Sequence, residues 1–240
     1  FAEMDQKPDT FVHEIEVGDV DGDGKMEFYS TPSDRNRASG VSQPGGVARY
    51  DWTGSAYERS TVVHWDASHA KEILVADVTQ DGTDELYVVR EAHTEKKDGK
   101  TVIVDPVQII RLDPSAGGTW TETVVAELQD KQCRFLVPGD VNHDGSMDLV
   151  AAGMDSGLWM LNLNEDGSFE KTLIDKNSGG FEHSTHVADL DGDGKAEIYV
   201  AADKQKAMRR YVWNGSSFGR KKLGTIPEQH ITWNIQDAKL

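Results

Sequence analysis

The stretch Asp19-Val20-Asp21-Gly22-Asp23-Gly24 decides the fold, because closely similar hexapeptides return three more times along the 240-residue chain. These are Asp77-Val-Thr79-Gln-Asp81-Gly82, Asp140-Val-Asn142-His-Asp144-Gly145 and Asp189-Leu-Asp191-Gly-Asp193-Gly194. Each copy stands between two short apolar stretches, a pattern typical of β-strands that are joined by turns. The order strand, acidic loop, strand is therefore predicted four times.

A second predicted hairpin follows each acidic loop. Tyr50-Asp-Trp52-Thr-Gly54 matches Tyr211-Val-Trp213-Asn-Gly215, and Trp120 and Phe169 mark similar hairpins in the other two repeats. Each repeat thus contains four strands, A to D, with the acidic loop between A and B. Four strands in about 50 residues are typical of one blade of a β-propeller.

The repeats predict a single all-β domain, a β-propeller of four-stranded blades, over residues 1–240. Four complete repeats cover approximately residues 12–64, 70–127, 133–175 and 182–225, and part of a fifth covers 228–240. The fifth repeat supplies a strand A without an acidic loop. We therefore expect either a closing blade that is shared by the two ends of the chain or a larger ring of which this chain is a part.

Charge and composition exclude several classes of partner. The formal net charge is −17, so binding to nucleic acid or docking on an anionic membrane is disfavoured. Cys133 is the only cysteine, so packing, ions or ring closure must stabilise the fold in place of an internal disulfide. The sequence has neither a long apolar run nor a signal-like start, and no insertion into a membrane is expected.

Each acidic loop has the oxygen pattern of a cation site. Side-chain oxygens stand at positions 1, 3, 5 and 9, a glycine at position 6 permits a sharp turn, and position 7 can offer a backbone carbonyl. The predicted ligands are Asp19, Asp21, Asp23, Lys25 and Glu27; Asp77, Thr79, Asp81, Thr83 and Glu85; Asp140, Asn142, Asp144, Ser146 and Asp148; and Asp189, Asp191, Asp193, Lys195 and Glu197.

Calcium, at up to four sites, suits these loops better than magnesium, which demands strict octahedral order. Binding should be weaker in the second and third loops, where Thr79 and Asn142 replace aspartate. An EF-hand is excluded, because it needs a glutamate at position 12 between two helices, and position 12 here lies in apolar strand-like runs. The alternative is that the loops are ordinary acidic turns without an ion.

The loops and their flanking strands resemble the FG-GAP or VCBS repeats of integrin-α-like propellers. The resemblance implies calcium in the A to B loops and a secreted, cell-surface or periplasmic location. Such repeats occur in adhesion proteins, lectin-like modules and propeller-type polysaccharide lyases, so the resemblance leaves the activity open.

The B to C loops are expected at the end of the propeller opposite the acidic loops. These loops vary in length, and variable loops are where function is usually placed. Their basic residues predict a face that binds an anionic ligand: Arg35, Arg37, Lys96, Lys97 and Lys100. The alternative is that these are solvated loops with no ligand.

A cationic residue stands six positions before each acidic loop, and before the matching point of the fifth repeat. These residues are His13, Lys71, Arg134, His183 and His230. Since strand A is innermost in a propeller, we expect them at the mouth of the central channel, where they could hold a carboxylate or a sulfate, or where three histidines could take a transition metal. The alternative is a polar lining of a wet channel.

Three functions are compatible with these patterns. The first is a non-catalytic module that binds a protein partner or an extracellular glycan. The second is a lyase that acts on uronate glycans, in which Arg134 or Lys71 neutralises the carboxylate and His183 or His13 takes the C5 proton. The third is a structural subunit of a surface assembly. The oligomeric state is left open.

Overall fold

A computed structural model describes residues 5, 7, 9–35 and 42–237 of the chain. Arg37, one of the predicted ligand-binding residues, lies outside the described residues. The described part is all-β apart from one short 3-10 turn at Asp203–Gln205. No helix in this part is long and apolar enough to cross a membrane.

Four antiparallel sheets of four strands each follow one another along the chain. Sheet 1 contains β1 (Thr10–Gly18), β2 (Glu27–Asp34), β3 (Gly45–Trp52) and β4 (Tyr57–Trp65). Sheet 2 contains β5 (Ala70–Ala76), β6 (Glu85–Arg90), β9 (Val107–Ser115) and β10 (Thr119–Leu128). Sheet 3 contains β11 (Cys133–Gly139), β12 (Asp148–Gly153), β13 (Leu158–Leu163) and β14 (Phe169–Asp175). Sheet 4 contains β15 (Thr185–Ala188), β16 (Glu197–Ala202), β17 (Ala207–Trp213) and β18 (Phe218–Thr225).

The four acidic loops are closed by the same strand pairing. The residue before position 1 pairs with the acid at position 9: Gly18 with Glu27, Ala76 with Glu85, Gly139 with Asp148, and Ala188 with Glu197. The first and ninth residues of each loop are therefore held side by side at the end of a β-hairpin. This is the position that the repeat predicts for a cation site.

The chain divides into two compact units, each with two sheets. Unit 1, residues 1–77 and 81–127, contains sheets 1 and 2, and unit 2, residues 78–80 and 128–240, contains sheets 3 and 4. In unit 1 the core joins side chains such as Tyr29 and Val47 of sheet 1 to Ile73 and Leu86 of sheet 2. In unit 2 it joins residues of sheet 3 such as Val150 to residues of sheet 4 such as Ile198 and Tyr211. Face-to-face packing of apolar sheet faces holds each unit together.

The connector between β6 and β9 contains a β-hairpin, whereas the sequence analysis predicted only a B to C loop there. Strands β7 (His93–Lys97) and β8 (Lys100–Asp105) form a separate two-stranded sheet between β6 and β9. Their turn, Asp98-Gly99, has φ values of 52° and 75°, as a type I′ hairpin requires. An Asp-Gly pair between β-prone stretches is a recognised hairpin signal, so the sequence contained the information.

The partial fifth repeat shows no strand in its described part, which ends at residue 237. The sequence predicts a strand A at residues 228–236. A strand needs a neighbour for its backbone N–H and C=O groups, and the described residues pair no segment with this one.

Candidate metal and ligand sites

The first acidic loop gathers four carboxylates at the end of sheet 1. Oxygens of Asp19, Asp21, Asp23 and Glu27 all lie within 4.8 Å of one another. Burial raises the pKa of Glu27, the acid that begins β2, and the nearby Arg49 opposes this rise. The backbone at Lys25 was expected to offer a carbonyl, and the Lys25 ammonium also contacts Asp23 Oδ2 at 2.6 Å.

The second and fourth loops gather three carboxylates each. Oxygens of Asp77, Asp81 and Glu85, and oxygens of Asp189, Asp191 and Glu197, lie within 4.8 Å of one another. The third loop also has three acids, Asp140, Asp144 and Asp148, but among the described residues they form no such cluster. The clustering therefore does not follow the number of acids in each loop.

All four loops share one backbone arrangement. The aspartate at position 1 accepts hydrogen bonds from the backbone N–H groups of positions 5 and 6, at 2.8–3.1 Å. The glycine at position 6 has a positive φ in each loop, between 80° and 94°. A side chain other than glycine would be strained there, which explains the glycine of the repeat.

An arginine from the third strand reaches two of the acidic loops, a feature that the sequence analysis missed. In sheet 1, Arg49 Nη2 lies 2.6 Å from Asp21 Oδ2 and 3.6 Å from Glu27 Oε1. In sheet 4, Arg210 makes the equivalent ion pairs with Asp191 and Glu197. A guanidinium therefore already compensates part of the negative charge of both loops.

A tyrosine accompanies each of these arginines. Arg49 pairs with Tyr29 across β2 and β3, and Arg210 pairs with Tyr199 across β16 and β17. The Tyr29 and Tyr199 hydroxyls donate to Glu27 and Glu197, at 3.2 and 2.8 Å. Burial, with the hydrogen bond to Glu197, raises the pKa of Tyr199 to about 12. Sheet 2 has the same pattern, Glu-x-Tyr after the loop and an arginine paired with the tyrosine, at Tyr87 and Arg111.

The third loop uses amides where the first uses a guanidinium. Asn162 Nδ2 donates to Asp148 Oδ1 at 2.9 Å and to Asp144 Oδ2 at 3.2 Å. Asn142 also donates to Asp144, at 2.9 Å. Burial raises the pKa of Asp148 to about 6, although hydrogen bonds from Asn162 and the Val141 backbone oppose the shift.

Two of the predicted channel residues meet in unit 1. Lys71 Nζ lies 3.3 Å from His13 Nδ1, and His13 Nε2 lies 2.9 Å from Ser33 Oγ. The His13 ring stacks on His69 with 5.1 Å between centroids, and His69 Nε2 lies 3.6 Å from Glu91 Oε2. We call these five residues, His13, Ser33, His69, Lys71 and Glu91, the unit 1 polar cluster. It lies at the end of the sheets opposite the acidic loops.

A β-bulge places these cationic residues. The register of β1 shifts between Val12 and Ile15, and that of β5 shifts between Ala70 and Glu72. His13 and Lys71 lie inside the two shifts, where a bulge re-aims the side chain. His69, just before β5, was not among the predicted site residues.

The two predicted channel residues of sheets 3 and 4 do not form a similar pair. Arg134 binds Glu182 Oε1 at 2.6 Å and lies over the Phe181 ring at 4.0 Å. His183 is fully buried: its Nδ1 lies 2.7 Å from the Gly153 carbonyl, and its Nε2 lies 2.8 Å from Ser178 Oγ. Burial lowers the pKa of His183 to about 4.

The position of His183 corrects the expectation of an exposed residue at a channel mouth. Its φ of 56° lies in the left-handed region, and it precedes the first residue of β15. The chain therefore turns before the strand and directs the imidazole inward. Because its imidazole is fully buried, His183 is not placed to take a proton from a bound substrate. His230 is exposed and belongs to no strand.

The basic residues of the predicted ligand face lie on connectors of unit 1. Arg35 is exposed and follows β2, while Lys96, Lys97 and Lys100 are exposed on the β7–β8 hairpin. Ser42 links the two connectors: it donates to the Ala92 carbonyl at 2.8 Å and accepts from the Thr94 backbone N–H at 2.7 Å. The two long connectors are thus neighbours, as a shared face requires.

Comparisons with known proteins agree with the repeat and the fold. Residues 140–200, which begin at the third acidic loop, match the family model described as FG-GAP-like repeat. Among solved structures 27 chains match. One is the crystal structure of an exotype rhamnogalacturonan lyase, YesX, with a TM-score of 0.52, 21% identity and coverage of 79% of this chain. No curated protein sequence matches.

This chain spans 38% of the length of that lyase chain. At such low identity the likeness concerns the fold alone: an all-β arrangement of four-stranded sheets similar to a propeller-type enzyme.

Proposed function

We propose that this chain is part of a calcium-stabilised, extracellular β-propeller whose connector end binds an anionic glycan. The single observation that supports the proposal best is the placement of charge. Carboxylates gather at one end of the hairpins, within 4.8 Å of one another in three loops, while the polar cluster and the basic connectors of unit 1 lie at the other end.

The donor set of the loops fits a hard divalent cation. Three or four carboxylate oxygens together with loop carbonyls are the ligands that calcium takes in proteins, at distances that a flexible loop can reach. Unit charges about 4 Å apart repel by about 4 kcal/mol near a protein surface. Calcium would remove this repulsion and tie strand A to strand B.

The glycan part of the proposal rests on cations held in an acidic protein. Lys71 is buried beside His13, and Arg35, Lys96, Lys97 and Lys100 are exposed on connectors that Ser42 links. A uronate carboxylate or a sulfate would offset the charges of these residues, as anionic ligands do at basic clusters.

Binding of polygalacturonate and of a neutral glucan, measured by calorimetry in calcium, tests the proposal. We expect binding of the uronate polymer alone, weakened at least tenfold by Lys71→Met or by the pair Lys96→Ala and Lys97→Ala. Lys222→Ala removes an exposed cation from β18 of unit 2 and should leave binding unchanged. Equal binding of both polymers, or of neither, would contradict the proposal.

A lyase is the second candidate, favoured by the pair of Lys71 and His13 at 3.3 Å. In such an enzyme Lys71 would pair with the uronate carboxylate, and His13 would take the C5 proton. The C4–O bond would break and its electrons would leave with the departing sugar, and a C4=C5 double bond would remain. The unsaturated product absorbs in the ultraviolet, so a rise that His13→Gln abolishes and exposed His64→Gln does not would identify the activity.

A further inference from the structure

The first and second acidic loops touch each other across the two sheets of unit 1. The backbone N–H of Asp19, position 1 of the first loop, donates to Asp84 Oδ2, position 8 of the second loop, at 3.1 Å. A Cβ atom built on Gly18 would lie 2.6 Å from the same oxygen, so a glycine is needed there for the carboxylate to approach. Thr83 Cγ2 of the second loop also lies 3.9 Å from a Cβ built on Gly22 of the first. The two loops are therefore in direct contact.

Asp84 is not one of the clustered carboxylates of the second loop. That cluster consists of Asp77, Asp81 and Glu85. The neighbours of Asp84 in the chain are Thr83 and Glu85, which are the predicted ligands at positions 7 and 9. The side chain of Asp84 thus binds the first loop, while its backbone lies between two ligands of the second. A cation that fixes these ligands would also fix Asp84.

The two units join their acidic loops in different ways. Position 8 is a carboxylate in the second loop alone, since the other loops have Met26, Met147 and Ala196 there. In unit 2, the third loop reaches the fourth through His143 Nε2, which donates to the Ala196 carbonyl at 3.0 Å. The three atoms nearest to a Cβ built on Gly139, the equivalent of Gly18, belong to valine side chains. Unit 2 therefore offers a natural comparison for the carboxylate of unit 1.

We infer that Asp84 couples the first two loops, so that a calcium ion in either loop raises the calcium affinity of the other. The inference rests on the calcium binding proposed above. An ion in the second loop fixes residues 83–85, and Asp84 then holds the backbone of Asp19 in place. The first loop receives its ion with one ligand already ordered, so less conformational freedom is lost on binding. By linkage, an ion in the first loop assists the second by the same factor.

Repulsion between the two calcium ions acts against this coupling. Salt at about 0.15 M screens charges beyond roughly 8 Å, and the carboxylate of Asp84 adds a negative charge at the contact between the loops. We therefore expect the ordering of Asp19 to prevail at this salt concentration. The expected coupling is about tenfold in affinity, within the usual range for linked sites.

Calorimetric titration with calcium tests the coupling in the full chain. Asp140→Asn and Asp189→Asn disable the third and fourth loops, so that only the first two loops bind. Adding Asp77→Asn disables the second loop and should lower the affinity of the first about tenfold.

Variants of Asp84 identify the residue responsible. Asp84→Ala removes the acceptor, and Asp77→Asn should then leave the affinity of the first loop unchanged. Asp84→Asn keeps an acceptor oxygen and should retain the coupling. Asp66→Ala is the control for charge, because the Asp66 side chain is fully exposed in the same unit, and it should also retain the coupling. Circular dichroism checks that each variant is folded.

Hydrogen exchange of the Asp19 amide gives a second readout, which does not depend on an ion in the first loop. With the first, third and fourth loops disabled by Asp21→Asn, Asp140→Asn and Asp189→Asn, calcium in the second loop should slow this exchange about tenfold. The same titration in the presence of Asp84→Ala should leave the exchange unchanged.

The outcomes separate the coupling from the calcium sites themselves. If calcium binds but the affinity of the first loop does not depend on the second, the coupling is overturned and the proposed calcium binding stands. If Asp84→Ala retains the coupling, another contact between the loops carries it and the role of Asp84 is overturned. If no loop binds calcium, the proposed calcium binding and the coupling are both wrong.

Discussion

His13 of unit 1 and His183 of unit 2 stand at the same place in their repeats, six residues before an acidic loop, yet their surroundings differ. His13 is half-buried in a bulge of β1, beside Lys71 and Ser33. His183 is fully buried between Ser178 and the Gly153 carbonyl. The comparison teaches that one repeat position can belong to a half-buried polar cluster in one unit and to the packing of the interior in the other.

The largest expected effect is a loss of stability in acid through His183. Burial holds the pKa of folded His183 at about 4, below the value of about 6.5 in an unfolded chain. As the pH falls, the unfolded state therefore takes up the proton first. The contribution of neutral His183 is complete above pH 6.5 and declines towards pH 4, by about 3 kcal/mol in all.

Urea unfolding at several pH values measures this decline, and His183→Gln should flatten it. Exposed His64→Gln is the control and should retain the full slope. Arg209, Asp130 and Asp175 also act on His183, so the difference between the two variants isolates its share from theirs. Equal slopes in both variants would show that His183 does not control the transition.

The next effect is the difference between two alanine substitutions. His183→Ala leaves Ser178 and the Gly153 carbonyl without their buried partner, so we expect a loss of about 2 kcal/mol at pH 7. His13→Ala removes a half-buried ring from Lys71 and Ser33, and its cost should be smaller, about 1 kcal/mol. Thermal unfolding of both variants checks the ranking, and a larger cost for His13→Ala would reverse the comparison.

A third prediction concerns the first and third acidic loops, which use a guanidinium and amides respectively. Arg49 occupies oxygens of Asp21 and Glu27 that a cation would need. Arg49→Met should therefore raise the calcium affinity of the first loop by about tenfold, or about 1.4 kcal/mol.

Calorimetric titration with calcium measures this change. Arg220→Met is the control, because the Arg220 guanidinium bonds to Asp175 at 2.9 Å, and Asp175 belongs to no acidic loop. If Arg49→Met lowered the affinity, Arg49 would act as a support for the site and not as a competitor for its oxygens.

The smallest expected effect separates a glycine in the turn of the β7–β8 hairpin of unit 1 from a glycine within β18 of unit 2. Gly99 has a φ of 75° and open space around its Cα, so Gly99→Ala should destabilise the hairpin by about 1 kcal/mol through backbone strain alone. Gly224→Ala also meets open space but at an ordinary φ and should be nearly neutral. Hydrogen exchange of the Thr94 and Lys96 amides reports on the hairpin; unchanged protection in Gly99→Ala would contradict the prediction.

Much of the fold could be predicted from local patterns. Asp19, Gly24 and Glu27 recur at fixed spacing, and the structure closes each acidic loop with the same strand pair. Such a loop depends on neighbours within nine residues, so its sequence carries most of the information. The Asp98-Gly99 hairpin was predictable for the same reason and was overlooked.

The parts that could not be predicted depend on distant segments. Arg49 binds Asp21 from 28 residues away in the sequence, and no residue within the loop predicts this ion pair. The burial of His183 depends on a left-handed φ and on Gly153, 30 residues earlier. The spacing of the repeats predicted equivalent positions for His13 and His183. Spacing contains no information on which of the two side chains is buried.

The sequence by itself determined the four acidic loops, the strands beside them and the excess of negative charge, since these follow from residue type and short spacing. Residues at the same position of different repeats can be buried or exposed, and only the tertiary structure decided which of them are exposed to solvent. Ile15 and Ile73 are the same residue in the same pattern, but the second packs on a neighbouring sheet and the first does not. The burial of an apolar side chain is a property of what lies against it, and a repeat cannot specify its own neighbour.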